Sequence, residues 1–213
     1  MSDPSRLSRR QFLVGTSAAA GLAMLAACSN DEDNDTLGTG GGTGTTGAQT
    51  TTGDDTKVAE VAAGLEVLAV NAYRSALDAA TAGRLGPVPP AGAELVKTAL
   101  AHHEAHRDAW NAVLRNAGRP EVTTPNDRLA QNVAAEMSRV TDFAGAARLV
   151  LGIEEMAAAT YLQAVPDLRS QEVAHQAASI QAVDAKHVAI LLFVLGQYPV
   201  PDSFAKTDRA VQA

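Results

Sequence analysis

Residues 153–161, IEEMAAATY, repeat the residue types of residues 65–73, LEVLAVNAY. Each segment begins with an apolar residue and a Glu, continues with mostly small residues, and reaches a Tyr seven positions after that Glu. Because seven residues make about two turns of an α-helix, Glu and Tyr share one face of each segment. A Glu on an apolar face is costly to bury unless it is paired or bound to a metal. The two segments therefore predict a polar site inside a helical core.

Around these segments, apolar residues recur every three or four positions, which predicts amphipathic helices separated by Gly and Pro. We expect long helices over residues 57–83 (with Thr56 as N-cap), 92–117, 142–165 and 167–196, and a short helix over residues 127–139. No segment has a convincing strand pattern, and 46% hydrophobic but only 4% aromatic residues suit packed, Ala-rich helices. The predicted fold is all-α, a four-helix bundle with a long crossover between its second and third long helices.

A second repeat places further polar residues on apolar stripes. His103-x-x-His106 on the second long helix corresponds to Asp184-x-x-His187 on the fourth. Residues three apart lie on the same side of a helix, so both members of each pair point the same way. Six potential metal ligands should then converge in the core: Glu66, His103, His106, Glu154, Asp184 and His187.

This pattern resembles the ferritin-like domain family, in the branch of exported bacterial ferritin-like proteins, over residues 57–197. In that superfamily two helices each supply one Glu, and the other two each supply Glu-x-x-His. The resemblance implies that Glu66 and Glu154 are the single carboxylates and that His106 and His187 are the histidines. It also implies a bound metal, iron or another transition metal, with a possible role in redox chemistry with oxygen or peroxide.

Two positions depart from the family pattern. His103 stands where a Glu is expected, and Asp184 is one methylene shorter than Glu. Four carboxylates neutralise two divalent ions, whereas three leave a dinuclear site with excess positive charge. The residues therefore suit a single ion, or an asymmetric pair completed by water. The alternative is a metal-free bundle in which these side chains satisfy one another by hydrogen bonds. In either case we expect Tyr73 and Tyr161 beside the ligands or packed in the core, and His102 and His175 at the surface.

The first 27 residues have the features of an export signal. Residues 8–13, SRRQFL, match a twin-arginine motif, and an apolar run follows from Val14 to Ala27. The run of 14 residues is short for a membrane-spanning helix, which needs about 20. It ends in Leu25-Ala26-Ala27-Cys28, which resembles a bacterial lipobox. Cys28 is therefore the predicted lipidation site, and the protein is expected on the outer face of the cell membrane.

Between this signal and the helices, residues 28–56 are rich in Gly and Thr, and they contain six acidic residues and no Lys or Arg. This composition predicts a disordered linker to a helical domain over residues 57–200, with a tail over residues 201–213. The net charge of −7 argues against a nucleic-acid partner, and the single Cys excludes disulfides and multi-Cys metal sites. The membrane, through the lipid, and a metal ion are the expected partners. The alternative function is a metal-free envelope lipoprotein that acts as a binding or scaffolding module.

Overall fold

The computed structural model of the protein describes residues 53–212, and the predicted signal, Cys28 and most of the linker lie outside that range. Five α-helices and one short 3-10 helix follow each other, and the described residues contain no strand. Their bounds are α1 Gly53–Thr81, α2 Pro90–Asn116, α3 Asp127–Met137, α4 Phe143–Ala164, the 3-10 helix Val165–Asp167 and α5 Gln171–Val194. The all-α prediction is confirmed.

The four long helices form a bundle from two hairpins. α1 packs along α2, α4 packs along α5, and α1 also packs against α4. Phe143 at the start of α4 donates its N–H to the carbonyl of Leu85, just beyond the end of α1. α1 and α4 are therefore antiparallel, and the connection from α2 to α4 runs the length of the bundle. α3 lies in this connection and packs against α1 and α4, as the predicted crossover requires.

Side-chain caps and glycines fix the ends of the helices. The Asp142 carboxylate accepts the N–H of Gly145 at 2.6 Å, and the Ser170 hydroxyl accepts that of Val173 at 3.3 Å. Gly118 and Gly196, with φ of 69° and 72°, follow α2 and α5 in the left-handed conformation that ends many helices. Local caps therefore set the starts of α4 and α5 and the ends of α2 and α5, whereas α2 starts at Pro90 without a side-chain cap.

The first helix begins earlier than predicted, at Gly53 rather than after Thr56. Asp55, which we assigned to the linker, is fully buried in the domain. Its carboxylate accepts the N–H groups of Arg169 at 2.9 Å and Ser170 at 3.0 Å, at the start of α5. The first residues of a helix have N–H groups with no partner inside the helix, so a carboxylate there is stabilising. This contact joins the start of α1 to the start of α5.

The residues after α5, predicted only as a tail, pack against α4. The N–H of Val211 donates to the hydroxyl of Thr160 at 2.9 Å, and Arg209 pairs with Glu155. Apolar side chains in and before this segment nevertheless remain exposed to solvent. They are Ile190, Phe193, Tyr198, Val200 and Phe204.

We predict that Asp55→Ala lowers the free energy of unfolding by about 2 kcal/mol, because the backbone N–H groups of Arg169 and Ser170 lose a buried, charged acceptor. The matched control is Asp54→Ala. Asp54 is its exposed neighbour and forms only a 3.8 Å ion pair with Arg169, so its loss should cost less than about 0.5 kcal/mol. Urea denaturation of both variants measures the difference. Equal effects would show that Asp55 does not anchor α1.

Candidate metal centre

All six predicted side chains meet in the middle of the bundle. Glu66 comes from α1, His103 and His106 from α2, Glu154 from α4, and Asp184 and His187 from α5. Five of them are at most 3% exposed, and the side chain of His106 is 12% exposed. One apolar cluster around Leu95 and Val150 and another around Leu114 and Ile180 complete the core of the bundle. Polar groups in such a core must find partners in each other or in a bound ion.

His103 lies between the two glutamates. Its Nδ1 is 2.7 Å from Oε2 of Glu66, and its Nε2 is 3.0 Å from Oε1 of Glu154. A ring that donates from both nitrogens to two carboxylates is doubly protonated. Burial alone would lower the pKa of His103, but the charges of Glu154 and Glu66 and their hydrogen bonds raise it well above its usual value. His103 is therefore a buried cation held by two anions.

The pKa values of the two glutamates shift in the opposite direction to that of His103. Burial favours the neutral form of Glu154, but the charge of His103 and the hydrogen bonds from His103 and His187 outweigh it and lower the pKa of Glu154 to about 2. Burial would raise the pKa of Glu66 as well, but the hydrogen bond from His103 and the nearby rings of His103 and His106 lower it overall. Both glutamates are thus ionised at neutral pH.

The two tyrosines of the sequence repeat complete this network in a reciprocal way. The hydroxyl of Tyr73 on α1 donates to Glu154 on α4, and the hydroxyl of Tyr161 on α4 donates to Glu66 on α1. The indole of Trp110 in turn donates to the Tyr161 oxygen at 3.1 Å. Burial, followed by the nearby carboxylate charges, raises the pKa of both tyrosines well above 10.0, so both remain donors. Each Tyr therefore orients the Glu of the opposite helix.

Asp184 and His106 have no such partners. Among the buried side-chain atoms of residues 53–212, four lack a hydrogen bond: both oxygens of Asp184, Nδ1 of His106 and, away from the predicted ligands, Nε2 of Gln176. His106 Nδ1 lies 3.7 Å from Oδ1 of Asp184 and 3.7 Å from Oε1 of Glu66. Burial, with the charges of Glu66 and Glu154, raises the pKa of Asp184 well above its usual value. Leaving such groups without partners is destabilising, so the protein alone does not explain this arrangement.

The separations of these atoms fit coordination of an ion. Two ligand atoms that are 2.0–2.2 Å from one zinc-like ion at a tetrahedral angle lie about 3.4 Å apart. The two 3.7 Å separations around His106 Nδ1 are close to this value. Ligand atoms also come within 4.8 Å of one another in two groups: His103, Glu154, Asp184 and His187, and Glu66, His103 and His106. Imidazole and carboxylate donors suit iron, zinc and manganese, so the donor set fits a transition metal.

His102 joins the site although the sequence placed it at the surface. It is exposed, as expected, but its Nδ1 lies 3.0 Å from Nε2 of His187, and the two rings stack with centroids 5.2 Å apart. A histidine that binds a metal through one nitrogen is usually oriented by a partner at the other. In His187 both ring nitrogens have protein partners, because its Nε2 faces His102 and its Nδ1 faces Glu154 at 3.2 Å. The only sequence signal for His102 was its spacing of four from His106, whereas His175 is exposed as predicted.

Comparison with known proteins agrees with this architecture. A family model described as a ferritin-like domain matches residues 54–197, a range that contains all six side chains. The chain belongs to the ferritin-like domain family. No curated protein and no solved structure matches significantly. The ferritin-like domain thus begins within two residues of the observed start of α1 and ends just after α5.

We predict that Asp184→Asn raises the free energy of unfolding of the metal-free protein by about 1 kcal/mol, because a neutral amide replaces a buried carboxyl group that has no hydrogen bond and whose ionisation burial disfavours. Glu154→Gln should act in the opposite direction and cost about 3 kcal/mol, because it leaves His103 without one of its anions. Denaturation in the presence of a chelator measures both values. If the Asp184 variant is destabilised as much as the Glu154 variant, Asp184 has a structural role in the metal-free fold.

Proposed function

We propose that this ferritin-like domain binds a transition metal ion, iron or a related metal, in the core of its bundle. The observation that carries the proposal is the group of buried atoms without partners on Asp184 and His106. A protein that bound nothing here would be more stable with an apolar or neutral residue at position 184. The unpaired carboxylate is understandable if an ion supplies the missing partner.

The residues around these atoms would hold the ion and control its surroundings. His106, Asp184 and Glu66 would be ligands, with His187 close by, since its Nδ1 is 4.0 Å from Asp184 Oδ1. Iron at such a site would supply one-electron chemistry with oxygen or peroxide. The protein side chains bind and orient: Tyr161 holds Glu66, and the surrounding apolar side chains limit access of water.

The proposal also places the protein at the outer face of the cell membrane, anchored by lipid on Cys28. The twin-arginine motif and the lipobox-like segment support it, and residues 29–52 would separate the anchor from α1. In the described part of the chain, α5 alone is long and apolar enough to span a membrane. Because α5 directs Asp184 and His187 into the bundle, we assign it to the core of the domain.

A second candidate function is a metal-free binding module in the envelope. The observation that favours it is the set of exposed apolar side chains at and after the end of α5, among them Phe193 at 71% and Phe204 at 86% exposure. Clustered apolar side chains at a surface often mark a contact with another molecule. In that case Glu66 and Glu154 would stabilise the bundle through their hydrogen bonds with His103, and no ion would bind.

The metal-binding domain and the metal-free module differ in how added metal should change the free energy of unfolding. We predict that Fe²⁺, added anaerobically to the chelator-treated full-length protein, raises the free energy of unfolding by about 2.7 kcal/mol at a free concentration 100 times its Kd. Asp184→Asn and His106→Ala should reduce this stabilisation strongly because each removes a ligand. His175→Ala, an exposed change on α5, is the control and should leave it unchanged. The absence of metal-dependent stabilisation in the unmodified protein would favour the metal-free module.

Membrane attachment is tested separately. In a bacterial host that processes lipoproteins, the protein should partition into the detergent phase, because an acyl chain adds about 0.8 kcal/mol of membrane affinity per buried methylene. Cys28→Ser should move it to the aqueous phase without changing its metal content. An unmodified protein that stays in the aqueous phase would contradict the predicted anchor.

A further inference from the structure

We propose that the centre holds one metal ion and that His103 occupies the position of a second. This inference rests on the proposed metal-binding function and concerns how many ions the site accepts. The family pattern places a Glu at the position of His103, and a carboxylate there has two oxygens that can reach two ions. An imidazole could do the same only if each ring nitrogen faced its own ion.

The contacts of His103 exclude that arrangement. Its Nδ1 is 2.7 Å from Glu66 Oε2, which is a direct hydrogen bond and is shorter than the roughly 3.0 Å between two ligands at right angles around one ion. Its Nε2 is 3.0 Å from Glu154 Oε1, which is also within hydrogen-bond distance. Both sides of the ring are therefore closed by carboxylates.

The open positions lie on one side of His103 only. His106 Nδ1 and the two Asp184 oxygens have no partners, and Glu66 Oε1 is as close to His106 as Asp184 is, 3.7 Å in each case. Glu66 accepts from Tyr161 and His103, and Glu154 accepts from Tyr73, His103 and His187. One ion bound by His106 and Asp184, with Glu66 beside them, satisfies the atoms of those two residues that lack partners.

The decisive variant is His103→Glu, which removes the imidazole between the two glutamates and restores the family's fourth carboxylate. Fe²⁺ titration of the full-length protein under anaerobic conditions should give one ion per chain for the unmodified protein and two for His103→Glu. His175→Glu is the matched control: it makes the same substitution at an exposed position on α5 and should remain at one. Electron paramagnetic resonance with Mn²⁺ should show an isolated ion in the unmodified protein and a coupled pair in the variant.

The outcomes separate this inference from the function on which it rests. Two ions per chain, or a coupled Mn²⁺ pair, in the unmodified protein would overturn the inference and leave metal binding intact. No binding by the unmodified protein would overturn both. If His103→Glu folds, as judged by circular dichroism, and still takes one ion, then His103 does not set the number. If this variant fails to fold, the Mn²⁺ spectrum of the unmodified protein decides alone.

Discussion

The pairing of His103 with Glu66 and Glu154 is the interaction on which the centre of this bundle depends. It joins α2 to α1 and to α4 through two hydrogen bonds inside an apolar core. A buried charge is tolerated only when opposite charges and hydrogen bonds surround it, and removing one member of such a group costs about 3–5 kcal/mol. The hydroxyls of Tyr73 and Tyr161 donate to the same two glutamates, so their positions depend on the pairing of those glutamates with His103.

The internal repeat produces a nearly symmetric frame with an asymmetric centre. Because α1 and α4 are antiparallel, each Tyr reaches the Glu of the other helix, and both carboxylates gain a donor by the same contact. The symmetry ends at the x-x-His segments. His103 donates to both carboxylates, whereas its counterpart Asp184 has no hydrogen bond. One half of the centre is thus complete within the protein, and the other half is left able to bind.

The sequence could predict the helices and the members of the site because both follow from residue spacing along one helix. Spacings of three and four placed His103 and His106, or Asp184 and His187, on one face, and the family model confirms the ferritin-like domain. The sequence could not predict contacts between distant residues. Asp55 accepts from Arg169, 114 positions away, and nothing around Asp55 distinguishes it from the acidic linker. His102 contacts His187 only because α2 and α5 pack against each other. The spacing of residues along one helix also could not show which buried side chains would lack hydrogen-bond partners.

Some buried polar groups have hydrogen-bond partners in the protein and others have none, and this difference bears on whether folding or metal binding comes first. His103, the two glutamates and the two tyrosines can form their contacts without a metal, and so can the anchor between Asp55 and the start of α5. The cost of leaving Asp184 and His106 unpaired is on the order of 1–3 kcal/mol per group, which a domain stable by 5–15 kcal/mol can tolerate. Folding therefore does not require the ion. In the proposed function, binding of the ion would recover the free energy lost at Asp184, so Asp184 would destabilise the metal-free protein and stabilise the metal-bound one.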